Sequence, residues 1–277
     1  MSNRISISNY IYSSPKINSD FEGCKIAVLS DLHANEVGEG NSLILENIRE
    51  INPDFIITAG DMVSDNAKNM HITYELLKTL SNSYEIYYGC GNHELKLAVN
   101  PVTKAKYRQY RKALRRIGVH YLNNKSCHIF RGESKISVTG VNISRKYYKK
   151  FGKRNMPDSY LDRLVSPAGN CGGDGAVLSI LIAHNPLYFE KYAKWGADIV
   201  LSGHVHGGIM VLPFLGGVIS PALELFPKYD FGEFSMNVGK KGDTSTMYLS
   251  RGLGAHTIPI RINNRPEIMV VELKSGV

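Results

Sequence analysis

The amino-acid sequence predicts an α/β fold in which a parallel sheet is covered by helices. Short, continuous apolar runs bounded by polar or turn residues recur along the chain, as strands buried on both faces require. Between the first three runs lie segments of helical periodicity with short connections, the β-α-β-α-β order of a parallel sheet. Five runs, moreover, stop at a residue able to bind a metal ion. They are IAVL before Ser30-Asp31-Leu32-His33, FIITA before Gly60-Asp61, EIYYGC before Gly91-Asn92-His93, SILIA before His184-Asn185-Pro186, and DIVLS before Gly203-His204-Val205-His206. The carboxyl ends of strands are where open α/β sheets place ligands and chemistry.

Lys25–Ser30 reads as the first strand, and the Gly-, Glu- and Asn-rich stretch after it as a loop. Asn41 and Ser42 then precede LILENIREI, where Ile44, Ile48 and Ile51 recur at helical spacing until Pro53 stops the helix. Asp54–Ala59 is the second strand, Met70–Leu80 a second helix and Glu85–Cys90 the third strand. Tyr107, Tyr110, Leu114 and Ile117 then fall on one helical face, with Lys104, Lys106, Arg108, Arg111, Lys112, Arg115 and Arg116 around the rest and Gly118 as the stop. Val119–Tyr121, Cys127–Phe130 and Lys135–Val141 are short strands that begin a second sheet. RKYYKKFGKR (145–154) is a basic, aromatic loop or short helix that could form a flap, and NCGGDG (170–175) a flexible turn. Val177–Ala183, Asp198–Ser202, Thr246–Ser250 and Ile268–Leu273 complete the strands. The stretch 209–227 is apolar but broken by Gly and Pro, and too short to span a bilayer. With no linker and no repeat, residues 1–277 are expected to form one domain, with 1–22 an N-terminal extension and 100–155 a basic helix and flap segment within it.

At 277 residues and 43% hydrophobic the chain can build a full core, which excludes global disorder. No run is long enough for a membrane span, and residues 1–16 lack the apolar core of a signal peptide. A cytoplasmic protein is expected, peripheral at the inner membrane face where it touches lipid. The four cysteines are widely separated, which argues against a disulfide framework or a zinc ribbon; Cys24 and Cys90 border strands as small buried side chains. The net charge of +8 is local. Residues 1–99 carry 7 basic and 13 acidic side chains, residues 100–155 carry 16 and 1, and residues 156–277 carry 10 and 11. Such a basic block favours anionic partners.

A two-metal hydrolytic centre needs a bridging anion, a few neutral nitrogen or oxygen ligands for each ion, and open positions for water and phosphate. A carboxylate suits the bridge, and imidazoles suit borderline metals. Together the five strand ends provide such a set. His71, His120, His128 and His256 match no part of it and are expected to be structural or on the surface.

The pattern resembles the calcineurin-like metallophosphoesterase superfamily, whose order of motifs is D-x-H, G-D, G-N-H-[D/E], H and G-H-x-H. Here they stand as Asp31-Leu32-His33, Gly60-Asp61, Gly91-Asn92-His93-Glu94, His184, and Gly203-His204-Val205-His206. The resemblance implies a four-layer α/β/β/α sandwich of two mixed β-sheets flanked by helices. It implies that Asp31, His33 and His206 bind one metal ion, that Asn92, His184 and His204 bind a second, and that Asp61 bridges them. His93 would bind no metal and would act at the scissile bond, stabilising or protonating the leaving oxygen. The cofactors implied are two divalent metal ions among manganese, iron, zinc and cobalt, with manganese favoured. A hydroxide bridging the two ions would attack phosphorus.

GHVHGG, YLSRGLG (248–254) and R-x-x-x-R-P-E-I (261–268) are similar to the bacterial YkuE-like branch, over about Lys25 to Leu273. Members often carry an N-terminal membrane anchor, for which residues 1–22 offer no apolar run. Glu94 stands where that branch usually has Asp. Some relatives act on lipid-linked phosphates. The leading expectation is therefore a phosphoester hydrolase acting on a phosphorylated small molecule or an amphiphilic, lipid-linked phosphate, with peripheral contact to an anionic membrane and no obligate protein partner. The alternative is a metal-dependent nuclease or nucleotide phosphodiesterase. The basic segment would suit nucleic acid, yet only Tyr147, Tyr148 and Phe151 offer stacking surfaces. A non-catalytic scaffold on the same fold would be expected to lose ligands or His93, and none is missing here.

Overall fold

The computed structural model describes residues 4–148, 154–166, 177–208, 210–212, 216–219, 227–238, 243–254, 261 and 263–276. The first sheet holds β1 (Ser6–Ser14), β2 (Lys25–Leu29), β3 (Phe55–Ala59), β4 (Glu85–Gly89), β5 (His120–Leu122) and β14 (Glu267–Ser275), in the order β1-β14-β2-β3-β4-β5. Strands β2 to β5 are parallel; β14 runs antiparallel to β2, and β1 runs parallel to β14. The second sheet holds β6 (Lys125–Arg131), β7 (Ser134–Val141), β8 (Ser179–Ala183), β9 (Ile199–Ser202), β12 (Gly232–Val238) and β13 (Asp243–Leu249), in the order β12-β13-β9-β8-β7-β6. Both sheets are mixed, as expected, and a separate pair joins β10 (Met210–Leu212) to β11 (Gly216–Ile219).

The period of two along each strand divides the apolar residues among three cores. Ala27, Leu29, Ile56, Ile86 and Tyr88 of the first sheet face α1 (Ser42–Ile51), α2 (Met70–Ser81) and α4 (Lys104–Arg116). Their neighbours Ile26, Val28, Phe55, Ile57 and Tyr87 face the second sheet, which returns Val138, Ile180, Ile182, Ile199 and Leu201. The other side of the second sheet, with Leu181, Ala183, Val200 and Met247, packs on α5 (Phe189–Trp195). Three cores between four layers make the α/β/β/α sandwich. The sheets approach closely at Gly89, where a Cβ would press into Ile182 and come within 2.8 Å of the Thr58 carbonyl oxygen.

Several elements differ from expectation. Residues 6–14, read only as part of an extension, form the edge strand β1, because nine consecutive residues pair with β14. Val119–Tyr121 was expected to begin the second sheet, yet β5 pairs with β4 and closes the first; the second begins at β6. Helix α3 (Asn92–Val99), α5 and the alternating strand β12 were not predicted. The 145–154 segment is a 3-10 turn at Arg145–Tyr148, while 149–153, the 170–175 turn and His256 lie outside the described residues. Among the described residues no helix is long and apolar enough to cross a membrane.

Candidate metal centre

Both sheets direct the carboxyl ends of parallel strands to the same end of the sandwich. Asp31 and His33 follow β2, Asp61 follows β3, Asn92 and His93 follow β4, His184 follows β8, and His204 and His206 follow β9. The turns there are tight. Asp31, His33, Asp61, His204 and His206 all have φ between 51° and 77°, the left-handed region that non-glycine residues rarely occupy. Each such residue costs about 1–2 kcal/mol of backbone strain. Five of them among eight candidate residues mark a place where side-chain direction outweighs backbone comfort.

The functional atoms converge. Three overlapping groups have all their ligand atoms within 4.8 Å of one another: Asp31, His33 and His206; Asp61, His184 and His204; and His33, Asp61 and His93. The Nε2 atoms of His33 and His206 lie 3.2 Å apart. His184 Nδ1 is 2.7 Å from the Ala59 carbonyl oxygen. That contact suits an Nδ1–H donor and leaves Nε2 directed at the carboxylates, 3.0 Å from Asp61 Oδ2 and 3.7 Å from Asp31 Oδ1. His206 and His33 approach Asp31 Oδ1 at 3.5 and 3.8 Å, and His93 Nε2 approaches Asp61 Oδ2 at 3.8 Å. Asn92 is buried, and its Oδ1 has no hydrogen-bond partner among the described residues. A buried acceptor left without a donor fits a cation.

Glycines make room for this crowding. At Gly91 a Cβ would collide with Asp61 Oδ1, and at Gly203 with Ser30 Oγ and Asp31 Oδ2. The backbone N–H groups of His93 and His204 donate to Asp61 and Asp31, at 2.8 and 3.2 Å, and fix the carboxylates in place.

The electrostatics favour positive charge. Burial pushes the Asp31 carboxyl above the usual carboxylate range, with His184 opposing and Asp61 adding to the rise. Burial acts on Asp61 in the same sense, but His184 and His93 hold it well below that range. Burial alone would depress His184, yet Asp61 and Asp31 push it up to about 10. His204 is depressed to about 3 by burial and then by His184, and so presents a neutral imidazole. The carboxylates therefore stabilise a cation between the two sheets, and the set of nitrogen and carboxylate donors fits divalent ions of the manganese-to-zinc series.

The role of Glu94 was not legible in the sequence. Its Oε2 accepts from the N–H groups of Asp61 and Gly91, at 3.0 and 2.8 Å. Its Oε1 accepts from Met62 N–H and the Tyr88 hydroxyl, at 2.9 and 2.8 Å. One carboxylate thus ties the loop after β3 to the start of α3. Burial and Asp61 raise it to about 7, while the Tyr88 hydroxyl and the N–H groups of Gly91 and of Glu94 itself oppose the rise. Glu94→Gln would aim an NH2 at two of these donors in either orientation. A loss of about 1–3 kcal/mol is expected, read as a lower urea midpoint with an unchanged slope. Tyr148, read in the sequence as a stacking surface of the 145–154 segment, stands edge-on to His204 at 5.2 Å; Asn264, whose side chain donates to the carbonyls of His206 and Gly208, was missed. His71 and His120 are exposed and His128 half-buried on β6; none joins the groups above.

A family model described as "Calcineurin-like phosphoesterase" matches residues 24–208. Among curated proteins, the "Uncharacterized metallophosphoesterase YkuE" of Bacillus subtilis is 26% identical over 98% of this chain and 86% of its own length. A "Transmembrane protein with metallophosphoesterase domain" of Danio rerio is 24% identical over 94% of this chain, which spans 55% of that protein. Among solved structures, Haemophilus influenzae NAD nucleotidase superposes with a TM-score of 0.51 at 12% identity, over 83% of this chain and 45% of that one, a likeness of fold.

Proposed function

The chain belongs to the calcineurin-like phosphoesterase family, and from that premise we propose that it hydrolyses phosphoric esters at a dinuclear metal centre. Asp31, His33 and His206 would hold one ion, Asn92, His184 and His204 the second, and Asp61 both. The observation that carries this reading is that Asp61 groups with His184 and His204 on one side and with His33, a member of the Asp31 group, on the other. When bound, the ions supply positive charge to the phosphate oxygens and lower the pKa of water.

The remaining work falls to the chain. Asp61 and Asp31, held by backbone donors, keep their carboxylate oxygens aimed into the site. The Ala59 carbonyl orients His184. His93 stands at the start of α3 with its Nε2 toward Asp61 Oδ2, and from that nitrogen it would deliver a proton to the leaving oxygen. The substrate class we favour is an amphiphilic or lipid-linked phosphate, supported by the net +15 of residues 100–155 and the apolar composition of 209–227. Manganese is the metal we favour.

Stripping metal with a chelator is expected to lower turnover of an aryl phosphodiester or monoester by about 10²-fold or more, and manganese is expected to restore it. Unchanged turnover in chelated protein would sink the proposal. A panel of nucleotides, nucleotide-sugars, lipid phosphates and DNA with manganese then identifies the substrate class.

A further inference from the structure

We propose that the elbow between α3 and α4, together with the basic face of α4, docks on the surface of an anionic lipid bilayer. Val99 ends α3 and is 50% exposed, and Val102 in the elbow is 87% exposed, with Pro101 exposed between them. A lone exposed valine is ordinary. Two valines and a proline within four residues form an apolar tip. Directly after it, Lys104, Arg108 and Lys112 follow at intervals of four residues and Arg115 three later, which puts them on one stripe of the helix. All four are exposed, and none pairs with a carboxylate among the described residues. Residues 100–132 contain no acidic side chain at all. The opposite face of α4 is anchored by Tyr107, Tyr110 and Leu114 in the core, so the stripe is held outward.

An apolar tip beside a basic stripe is the combination an interfacial surface needs: burial in the acyl boundary plus attraction to anionic headgroups. Nucleic acid would use the stripe but has no use for the tip. The placement also serves the proposed catalytic site, and rests on that proposal only in this respect. His93 and Val99 lie six residues apart on α3, about 9 Å along its axis. The 3-10 turn at Arg145–Tyr148 packs on α3, exposes Arg145 and Lys146, and brings Tyr148 against His204. Helix α3 thus touches two basic elements, α4 and this turn, and the turn adjoins the site, where an amphiphilic phosphate leaving the bilayer would arrive.

The test is co-sedimentation of the full chain with phosphatidylcholine vesicles, with and without phosphatidylglycerol, at low and high salt. Binding is expected only with phosphatidylglycerol and is expected to weaken with salt. The triple variant Lys104→Glu, Arg108→Glu, Lys112→Glu should bind about 10²-fold more weakly, since each basic residue near the surface is worth about fivefold. Val99→Ser with Val102→Ser should bind about tenfold more weakly with an unchanged salt dependence. Both variants should hydrolyse a soluble aryl phosphodiester at the wild-type rate. Wild-type protein that sediments but hydrolyses no soluble ester would refute the catalytic reading and leave the docking surface standing. Sedimentation that ignores phosphatidylglycerol overturns the docking surface. So does a valine variant that binds as wild type, and if duplex DNA then binds wild type but not the triple variant, the stripe is a nucleic-acid face.

Discussion

Asp61→Ala is expected to lose metal from both positions at once and to lose turnover by about 10³-fold or more. The expectation follows from where the side chain stands. Its Oδ2 lies 3.0 Å from His184 Nε2, its Oδ1 accepts the His93 N–H at 2.8 Å, and it belongs to two of the three convergent groups. Truncation removes the negative charge that faces His184, His93 and His33 together. It also strands the His93 N–H at the first turn of α3. No neighbour supplies a replacement: Asp31 is occupied by Ser30 and the His204 N–H, and Glu94 by four donors of its own. Elemental analysis after manganese loading and desalting reads the result. Near-zero occupancy with an intact far-UV circular dichroism spectrum is expected. Asp61→Asn, which keeps the acceptor for His93, separates a folding defect from a charge effect. Two ions retained in Asp61→Ala would overturn the bridging role.

His93→Ala is expected to keep both ions and lose about 10²-fold or more in kcat. The geometry makes this the sharper test, because His93 lies close enough to His33 and Asp61 to be a ligand itself. Its ring meets His33 edge-on at 4.7 Å, and its Nε2 is 3.8 Å from Asp61 Oδ2. If His93 delivers a proton to the leaving oxygen, the loss should be largest for esters of alkyl alcohols and smallest for a nitrophenol, which leaves without help. If it binds metal, occupancy and turnover should fall together for every substrate. Metal content and the leaving-group series, measured on one preparation, decide between the two roles.

The fold was largely legible because its strands announce themselves. Each of the five runs before the site residues is continuous and apolar, and each became a strand buried between two layers. What escaped were elements whose signal is weak or borrowed. SISNYIYSS gives β1 no continuous apolar run, since it is an edge strand whose odd-numbered residues meet solvent at Asn9, Ile11 and Ser13. Helix α3 is eight residues long and opens inside the G-N-H-E motif, whose chemistry hid its helical spacing. GEFSMNV does alternate, and Phe234, Met236 and Val238 do pack on the third core, but the pattern is short and half-exposed.

The convergence of the candidate residues was legible for the same reason as the strands: parallel strands bring their carboxyl ends to one side. The supports were not. Nothing in the sequence says that Glu94 gathers N–H groups from Asp61 and Met62, over thirty residues back. Asn264 holds His206 from 58 residues away. The left-handed φ angles at Asp31, His33, Asp61, His204 and His206 carry no glycine to betray them.

Seven side chains are proposed to hold two ions through one shared carboxylate. A crystal soaked with manganese and measured for anomalous scattering tests it most directly. Two peaks are expected, one bonded to Asp31, His33 and His206, the other to Asn92, His184 and His204, with Asp61 bonded to both. A single peak, or a pair in which Asp61 touches only one ion, would overturn the shared carboxylate.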